Sequence, residues 1–388
     1  MIGKQINVSR WTRALDIEDT VILGLGFVLA IALRWSMRNY ASEDFRAYTN
    51  GWYKAIKLQG FSVFGSNFAN YTPPYLYLLY GVSVLFHRLA PVIAVKLPAL
   101  VCDFICGWFV YRLVRLKYDR REVPLLAFFA TIFAPTVVLN SAMWGQADSI
   151  YTTALVACVY FLATERPAYA WVAFGVAFAF KLQAIFLAPL LLALLLRRQV
   201  AWKYVLLVPL VYLIAIVPAG LAGRPWRELL LIYANQSEAY RELTMGAPNM
   251  YTWLPNERYD ALYGPGLIWA VIMCFLFVVL VYKSEISITH TTLVQLALLS
   301  VLLVPYVTPK MHERYFFPAD VLSIVWGFYL PKYFWVPLVI GLTSFFVYTP
   351  YLLSLPNFIP HPVLALGLFI IIVVVCWRAT RALYSQKA

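Results

Sequence analysis

Charged residues are scarce in this sequence of 388 residues. They make up 13% of the chain, and hydrophobic residues make up 62%, whereas an ordinary soluble domain carries roughly a quarter charged residues. This scarcity excludes a water-soluble globular protein. Long apolar segments recur instead, and each approaches the roughly 20 residues that a helix needs to cross a bilayer. Examples are residues 21–33, 201–222, 267–282 and 363–377.

Motifs for metals and nucleotides are missing as well. The sequence contains no HExxH pattern, no EF-hand loop and no cysteine pair in polar surroundings, which are common signatures of protein metal sites. Its five cysteines all lie in apolar stretches, where free cysteine packs as a small hydrophobic residue. The sequence also lacks a GxGxxG or Walker loop, which argues against a nucleotide as substrate or energy source. We therefore predict no metal and no other cofactor.

The apolar residues run consecutively, which is typical of membrane-spanning helices. Strands of a transmembrane barrel would alternate apolar and polar residues within roughly 10-residue segments. The start of the chain lacks a short apolar core followed by a small-residue cleavage site, so we expect residues 21–33 to be a retained first span. No internal repeat of the kind found in many transporters is visible. The sequence predicts an all-α, polytopic integral membrane protein.

The basic residues predict the orientation of the chain. The formal net charge is +13, but the Lys and Arg residues cluster in loops between apolar runs, as the positive-inside rule requires of cytoplasmic loops, so we predict no nucleic-acid partner. Placing these loops in the cytoplasm predicts about twelve transmembrane helices with both termini cytoplasmic. The spans are predicted near residues 20–37, 93–115, 123–141, 149–164, 168–181, 183–197, 202–220, 264–282, 287–306, 316–330, 333–350 and 363–379.

Residues 73–89 are apolar enough to resemble another span, but the charge pattern argues against one. If they crossed, the basic stretch at residues 112–121 would lie outside. We therefore expect them to dip into the membrane within a first external loop, residues 38–92, that contains juxtamembrane helices. A second long external loop is predicted at residues 220–264, and the whole chain, residues 1–388, forms a single transmembrane domain.

With this topology, the polar residues suited to chemistry gather on the external face. The carboxylates of Glu43 and Asp44 lie in the first external loop, and Lys181 lies between two apolar runs. The sequence PKMHERYFFPAD supplies Lys310, His312 and Arg314 at the end of a span. A carboxylate can act as a general base, and cations beside a lipid-facing wall suit a lipid phosphate.

Each of these features also has a plain structural explanation. Tyr and Trp at span ends are expected as an interfacial belt whatever the function, and a Lys near a span end commonly extends its amine to the interface. Asp103 lies within a predicted span, so it should pair with another group or face a cavity. Asp320, at the start of the helix after the PKMHER turn, is compatible with a buried structural role.

Five stretches, taken together, resemble the GT-C superfamily of polytopic glycosyltransferases. The resemblance is closest to bacterial relatives of the mannosyltransferase that adds the second mannose in glycosylphosphatidylinositol assembly. With the layout of the spans it covers most of the chain. The stretches are Asp44 followed by GWYKAIKLQGF, then NYTPPYLYLLY, NSAMWGQADSIY, AFKLQAIFLAPLLL and PKMHERYFFPADVL.

The resemblance implies an inverting hexosyltransferase, of the mannosyltransferase type, that uses a polyprenyl or dolichyl phosphate sugar at the external face. The general base of the family corresponds to Asp44, with Glu43 beside it as the alternative. The family's residues that bind the donor phosphate correspond to Lys181, His312 and Arg314. Sugar or acceptor contacts are expected from Glu43, Tyr71, Trp144, Gln146 and Asp148.

The partners implied are the lipid-linked sugar donor, a lipid, glycan or protein acceptor, and the surrounding membrane lipids. The expected location is the cell membrane of a bacterium or archaeon. A transporter or lipid flippase remains the alternative, because such proteins also carry charges within the membrane. A transporter would place these charges near the bilayer midplane, whereas this sequence places them at one face. Cysteine accessibility at Asp44, Lys181 and His312 would distinguish the two.

Overall fold

The computed structural model describes residues 17–237 and 240–385. Both chain termini, which were predicted to be cytoplasmic, lie outside these residues. The described chain is helical, which confirms the all-α prediction. Its two strands are two residues each, and they pair in parallel: β1 (Thr244–Met245) with β2 (Met311–His312). The α-helices are α1 (Ile17–Ser36), α2 (Asn50–Gln59), α3 (Pro73–Leu85), α4 (Pro91–Ala94), α5 (Leu97–Arg115), α6 (Glu122–Ile132), α7 (Pro135–Val138), α8 (Asp148–Ala163), α9 (Pro167–Phe180), α10 (Ala188–Leu196), α11 (Leu207–Leu221), α12 (Trp226–Leu230), α13 (Ile232–Ser237), α14 (Tyr259–Tyr282), α15 (His290–Val307), α16 (Phe317–Tyr329), α17 (Trp335–Leu353) and α18 (His361–Tyr384).

Every predicted span coincides with an apolar helical segment. Among the described residues, six segments are long and apolar enough to cross a membrane, or seven if the bent pair α6 and α7 counts as one span. Five shorter apolar helices occupy the remaining predicted positions. The chain is therefore a multi-pass membrane protein, while the number of twelve crossings stays a prediction. The long segments are Pro91–Arg115, Trp202–Leu221, Asn256–Tyr282, His290–Val307, Pro331–Leu353 and His361–Tyr384.

Within residues 73–89, the helical part is too short to cross a bilayer. Helix α3 has 13 residues, and at 1.5 Å per residue it spans about 20 Å of the roughly 30 Å hydrocarbon core. Two prolines begin it, at positions where a missing backbone N–H costs no helical hydrogen bond. This length agrees with the expectation that the segment does not cross the membrane.

One end of the helical bundle collects the basic loops, and we call it the basic end. Here the Tyr118 hydroxyl, just after α5, donates to the Phe328 carbonyl near the end of α16, with an O···O distance of 2.6 Å. Ser284, just after α14, donates to the carbonyl of Leu383 near the end of α18, at 2.6 Å. Helix α5 therefore ends beside α16, and α14 ends beside α18.

Lys96, at the other end of α5, is buried and holds the turn that follows α1. Its side chain is 2% exposed. The ammonium group donates to the carbonyls of Met37 and Tyr40, at N···O distances of 2.9 and 2.8 Å. These carbonyls would otherwise lack helical partners, because they follow the last turn of α1. Lys96 thereby fixes the start of the segment that leads to Asp44.

Asp103 has the buried partner that its position within a span requires. Its carboxylate accepts two hydrogen bonds from Arg34, at 3.0 and 2.8 Å, and one each from Ser141 and Ser149. Arg34 also donates to the Ile132 carbonyl at the break between α6 and α7. An unpaired charge at this depth would be costly, so the network joins α1, α5, α8 and the broken span.

Candidate functional site

The PKMHER turn is bound to the second predicted external loop through the backbone. The β1–β2 ladder pairs Thr244 with Met311 and Met245 with His312. On either side of it, the Lys310 amide donates to the Leu243 carbonyl at 2.8 Å and the Glu313 amide donates to Met245 at 3.1 Å. Two segments far apart in sequence thus form one wall of the site.

Asp44 is fixed from two sides. Its Oδ2 accepts hydrogen bonds from the Trp144 indole, at 2.8 Å, and from the Gln146 amide, and its Oδ1 accepts one from the Tyr351 hydroxyl at 2.7 Å. The buried hydroxyl of Ser42, two residues earlier, donates to the Trp144 carbonyl at 2.8 Å. The carboxylate is therefore oriented before any ligand binds.

A left-handed glycine brings Trp144 and Gln146 to the same carboxylate. Gly145 has φ +78° and ends the π-helical turn Leu139–Trp144. A Cβ atom at this position would lie 3.3 Å from Cγ of Lys96, and left-handed φ values are unfavourable for residues other than glycine. The turn reverses the chain, so the side chains before and after the glycine both face Asp44.

Asp148 forms a buried bridge between two cations. It is the first residue of α8, with 0% exposure. Its Oδ1 pairs with the ammonium of Lys181, and its Oδ2 lies 3.6 Å from Nε of Arg314 and accepts from the Asn140 amide at 3.0 Å. The backbone of Lys181 is extended and separates α9 from a 3₁₀ turn. This break in the helix points the Lys181 side chain at Asp148.

Electrostatics in this region are nearly balanced before any ligand binds. Arg314 also pairs with Glu313 at 3.0 Å, so two cations face two carboxylates. Burial alone would lower the pKa of Arg314, but Glu313 and Asp148 raise it well above its ordinary value. Burial would likewise raise the pKa of Glu313, yet His312 and Arg314 lower it overall. Both side chains are therefore charged at neutral pH.

His312, unlike Arg314, is uncharged at neutral pH. Burial lowers the pKa of its imidazole below the ordinary value, and the nearby Arg314 lowers it further, although Glu313 partly opposes the change. The ring lies between two aromatic neighbours, Tyr240 and Tyr315, with centroids 5.8 and 5.2 Å away. At neutral pH, His312 can thus offer a hydrogen bond to a ligand but adds no positive charge.

A cleft of about 1090 Å³ unites the predicted site. Of the residues predicted to act, Trp144 and Asp148 do not line it: they are buried behind its wall, with exposures of 1% and 0%. Asp148 was predicted to contact the sugar or the acceptor. The structure instead places it beneath the cleft surface, against Lys181 and Arg314. The predicted residues on the surface of the cleft are Glu43, Asp44, Tyr71, Gln146, Lys181, His312 and Arg314.

Trp144 connects the carboxylate to the cations. Its indole nitrogen binds Asp44, and the guanidinium carbon of Arg314 lies 5.6 Å from its ring centroid. Tyr351 stacks on the same indole, at 5.2 Å with an interplanar angle of 29°. A single aromatic side chain thus contacts both the candidate base and Arg314.

Three residues that contribute to the site were missed by sequence reasoning. Tyr351 binds Asp44, Lys96 orders the segment before it, and Arg224 lines the same cleft. Arg224 follows α11, and Tyr351 lies in the last turn of α17. A polar residue at the end of an apolar run was the signal available for both. Lys96 was hidden by its place within the apolar segment that continues into α5.

No group of three or more His, Cys, Asp or Glu side chains that could hold a metal ion is present in residues 17–237 and 240–385. The carboxylates of Asp44, Asp148 and Glu313 are instead engaged by Trp, Gln, Tyr, Lys and Arg donors.

Comparison with known proteins gives one match to a family. Residues 71–221 match the sequence profile described as Dolichyl-phosphate-mannose-protein mannosyltransferase, and this stretch is less than half of the chain. It contains Tyr71, Trp144, Gln146, Asp148 and Lys181. No curated protein matches the chain at the required significance. The closer relationship to glycosylphosphatidylinositol mannosyltransferases stays a prediction.

Two solved structures resemble the fold at low sequence identity. The crystal structure of ArnT from Cupriavidus metallidurans bound to undecaprenyl phosphate is 16% identical, with a TM-score of 0.48, and the match covers 94% of this chain and 78% of that one. The apo structure of the same protein is 15% identical, with a TM-score of 0.40 and the same coverage.

Proposed function

We propose that this protein is a membrane glycosyltransferase that transfers a hexose from a polyprenyl or dolichyl phosphate donor to an acceptor hydroxyl, with Asp44 as the general base. One observation supports this most directly. A carboxylate held by three hydrogen-bond donors shares a single cleft with Lys181 and Arg314, two cations that come from distant parts of the chain. The family match of residues 71–221 supports mannose as the sugar.

In the proposed reaction, the acceptor oxygen attacks the anomeric carbon from the face opposite the phosphate. The new C–O bond forms while the bond between the anomeric carbon and the phosphate oxygen breaks, so the anomeric configuration inverts. Asp44 takes the acceptor's proton, and the electron pair of the broken bond leaves with the lipid phosphate. A positioned base of this kind contributes roughly 10²–10⁴-fold to a rate.

The leaving phosphate gains negative charge, which Arg314 and Lys181 are placed to stabilise. Fixed cations act strongly on developing charge in a site with little water. Asp148 holds both from behind, so we assign it a positioning role. Glu313 competes with the phosphate for the Arg314 guanidinium, and we expect it to reorient when the donor binds.

The lipid chain of the donor needs an apolar path to the bilayer. One wall of the cleft is apolar and comes from α14, α15 and the 3₁₀ turn after Lys181, through Leu267, Val304 and Ile185. Leu267 and Ile185 are 38% and 39% exposed, as expected for side chains that face lipid in a multi-pass protein. We propose that the prenyl chain leaves the cleft along this wall.

The test uses purified full-length protein and a panel of polyprenyl phosphate hexoses, with release of polyprenyl phosphate as the readout. We expect Asp44→Asn to lower turnover by roughly 10²–10⁴-fold. Glu43→Gln tests the alternative base beside Asp44, and we expect it to lower turnover far less than Asp44→Asn, because Glu43 is exposed and accepts no side-chain hydrogen bond among those described. Near-normal turnover in Asp44→Asn would refute its role as base. Transport of donors with no cleavage would instead indicate a flippase.

A further inference from the structure

The lining of the cleft includes a second group of residues that the proposed reaction does not use. This group consists of amide and aromatic side chains around one cation, Arg224. The proposed donor phosphate lies with other lining residues, Lys181 and Arg314. The residues of this second group are Asn67, Phe68, Asn70, Arg224, Tyr233 and Gln236.

Arg224 is held in place by the end of the preceding helix. Gly223, with φ +109°, follows α11, and the Arg224 amide donates to the Ala219 carbonyl at 3.1 Å. This bond is typical of a helix C-terminus closed by a left-handed glycine. On the facing loop, Gly65 packs so closely that an added Cβ would lie 2.2 Å from the Ala222 carbonyl oxygen. The guanidinium therefore lies between two rigid segments.

The guanidinium is buried but incompletely paired. The residue is 5% exposed. One nitrogen donates to Asn67 Oδ1 at 2.6 Å, whereas Nε has no hydrogen-bond partner within the described parts of the chain and lies 3.7 Å from Glu228. A guanidinium carries five N–H donors, and leaving one of them buried and unsatisfied is costly. An anionic ligand that displaces Glu228 would supply the missing acceptor.

Glu228 is the only carboxylate found near this guanidinium in the described structure, and it is a weak partner. Its distance of 3.7 Å exceeds that of a hydrogen bond, and its side chain is 44% exposed. An exposed pair of this kind contributes little to stability, so Glu228 can move aside at small cost.

The surrounding surface places this region at the level of the membrane interface. Arg224 follows the apolar segment Trp202–Leu221 by three residues. Leu221, Trp226 and Leu230 beside it are 78%, 49% and 53% exposed, and exposed Trp and Leu at a span end are typical of contact with the headgroup region. A ligand bound at Arg224 can therefore belong to a membrane-borne molecule.

From these observations we infer that Arg224 and Asn67 form a subsite for an acidic group, a phosphate or a carboxylate, carried by the acceptor. This inference rests on the proposed function only in assigning the acidic group to the acceptor. The two substrates then use different residues of one cleft: the donor phosphate lies with Arg314, the acceptor's acidic group lies with Arg224, and the attacking hydroxyl reaches Asp44.

The experiment measures ligand binding to full-length protein in nanodiscs of phosphatidylcholine, at constant ionic strength. The probes are inorganic phosphate, acetate and, in separate nanodiscs, phosphatidylglycerol, and polyprenyl phosphate reports on the donor region. We expect Arg224→Gln to weaken binding of phosphate or acetate by about tenfold or more. Polyprenyl phosphate binding should stay unchanged in this variant. Arg227→Gln is the matched control, because Arg227 is exposed on α12 and lies outside the cleft lining.

A second variant guards against loss of folding. Glu228→Gln removes the competing carboxylate, so it should tighten anion binding while the thermal unfolding midpoint stays near that of the parent. Preference for inorganic phosphate over phosphatidylglycerol would identify a soluble acceptor group, and the reverse preference would identify a lipid headgroup. Either result supports the subsite.

Unchanged affinity for phosphate, acetate and phosphatidylglycerol in both Arg224→Gln and Glu228→Gln would overturn the inference. The proposed function fails differently: Arg314→Gln would then leave polyprenyl phosphate binding unchanged, whatever Arg224→Gln does. The two failures are distinguishable because each concerns a different variant and a different ligand.

Discussion

The buried bridge at Asp148 allows a prediction whose size and sign both follow from the structure. Lys181→Met should destabilise the fold more than Asp148→Asn does. The first change leaves a carboxylate with 0% exposure, and its only remaining cation among the described residues is Arg314, at 3.6 Å. Breaking a buried pair by removing one partner costs about 3–5 kcal/mol, and we expect Lys181→Met to lie in this range.

Asp148→Asn instead leaves two cations, Lys181 and Arg314, without this carboxylate, and each has other favourable contacts. The Lys181 ammonium lies 5.6 and 5.5 Å from the ring centroids of Tyr151 and Tyr315, and Arg314 keeps its partner Glu313 at 3.0 Å. The new side chain can still accept the hydrogen bond that Asn140 donates to Asp148. We therefore expect a cost at or below about 3 kcal/mol. The double variant should cost less than the sum of the two single changes, because neither unpaired charge is then present.

The assay is equilibrium unfolding in mixed micelles by sodium dodecyl sulfate, followed by circular dichroism, for the parent, both single variants and the double variant. Additive costs within about 0.5 kcal/mol would refute the bridge, since independent sites add to within that margin. Equal costs for the two single variants would contradict the asymmetry between a fully buried carboxylate and a cation at the edge of the cleft.

Two further predictions concern the turn behind Asp44 and the PKMHER turn. Gly145→Ala should lower turnover at least tenfold, because alanine resists the left-handed φ of +78° that brings Trp144 and Gln146 to Asp44; a loss no larger than that of Gly81→Ala, where an added Cβ meets nothing within 4 Å, would contradict this. His312 has a pKa lowered by burial, so the unfolded chain binds its proton first and stability should fall as the pH drops below about 6.5. His312→Gln should flatten this dependence in unfolding measurements between pH 7 and pH 5, and an unchanged slope would show that other groups cause it.

The candidate site shows where prediction from sequence stops. Asp44, Lys181 and Arg314 could be selected because a charge beside an apolar run is costly and therefore informative. Their partners could not be selected. Asp148 was expected to contact the sugar or the acceptor, but it lies behind the cleft wall because the break at Lys181 and the PKMHER turn bring two cations against it. Asp103 needed a partner, and only the packing of α1 against α5 identifies it as Arg34.

The sequence by itself determined the all-α fold and the positions of the apolar segments. It could do so because a segment in lipid must satisfy its own backbone hydrogen bonds, so a run of apolar residues already specifies a helix. Only the tertiary structure decided which side chains meet. Asp44 and Arg314 lie 270 residues apart in sequence and on two sides of one indole in the fold. Such contacts depend on how distant helices pack and where the breaks between them turn the chain, and no local pattern of residues encodes that.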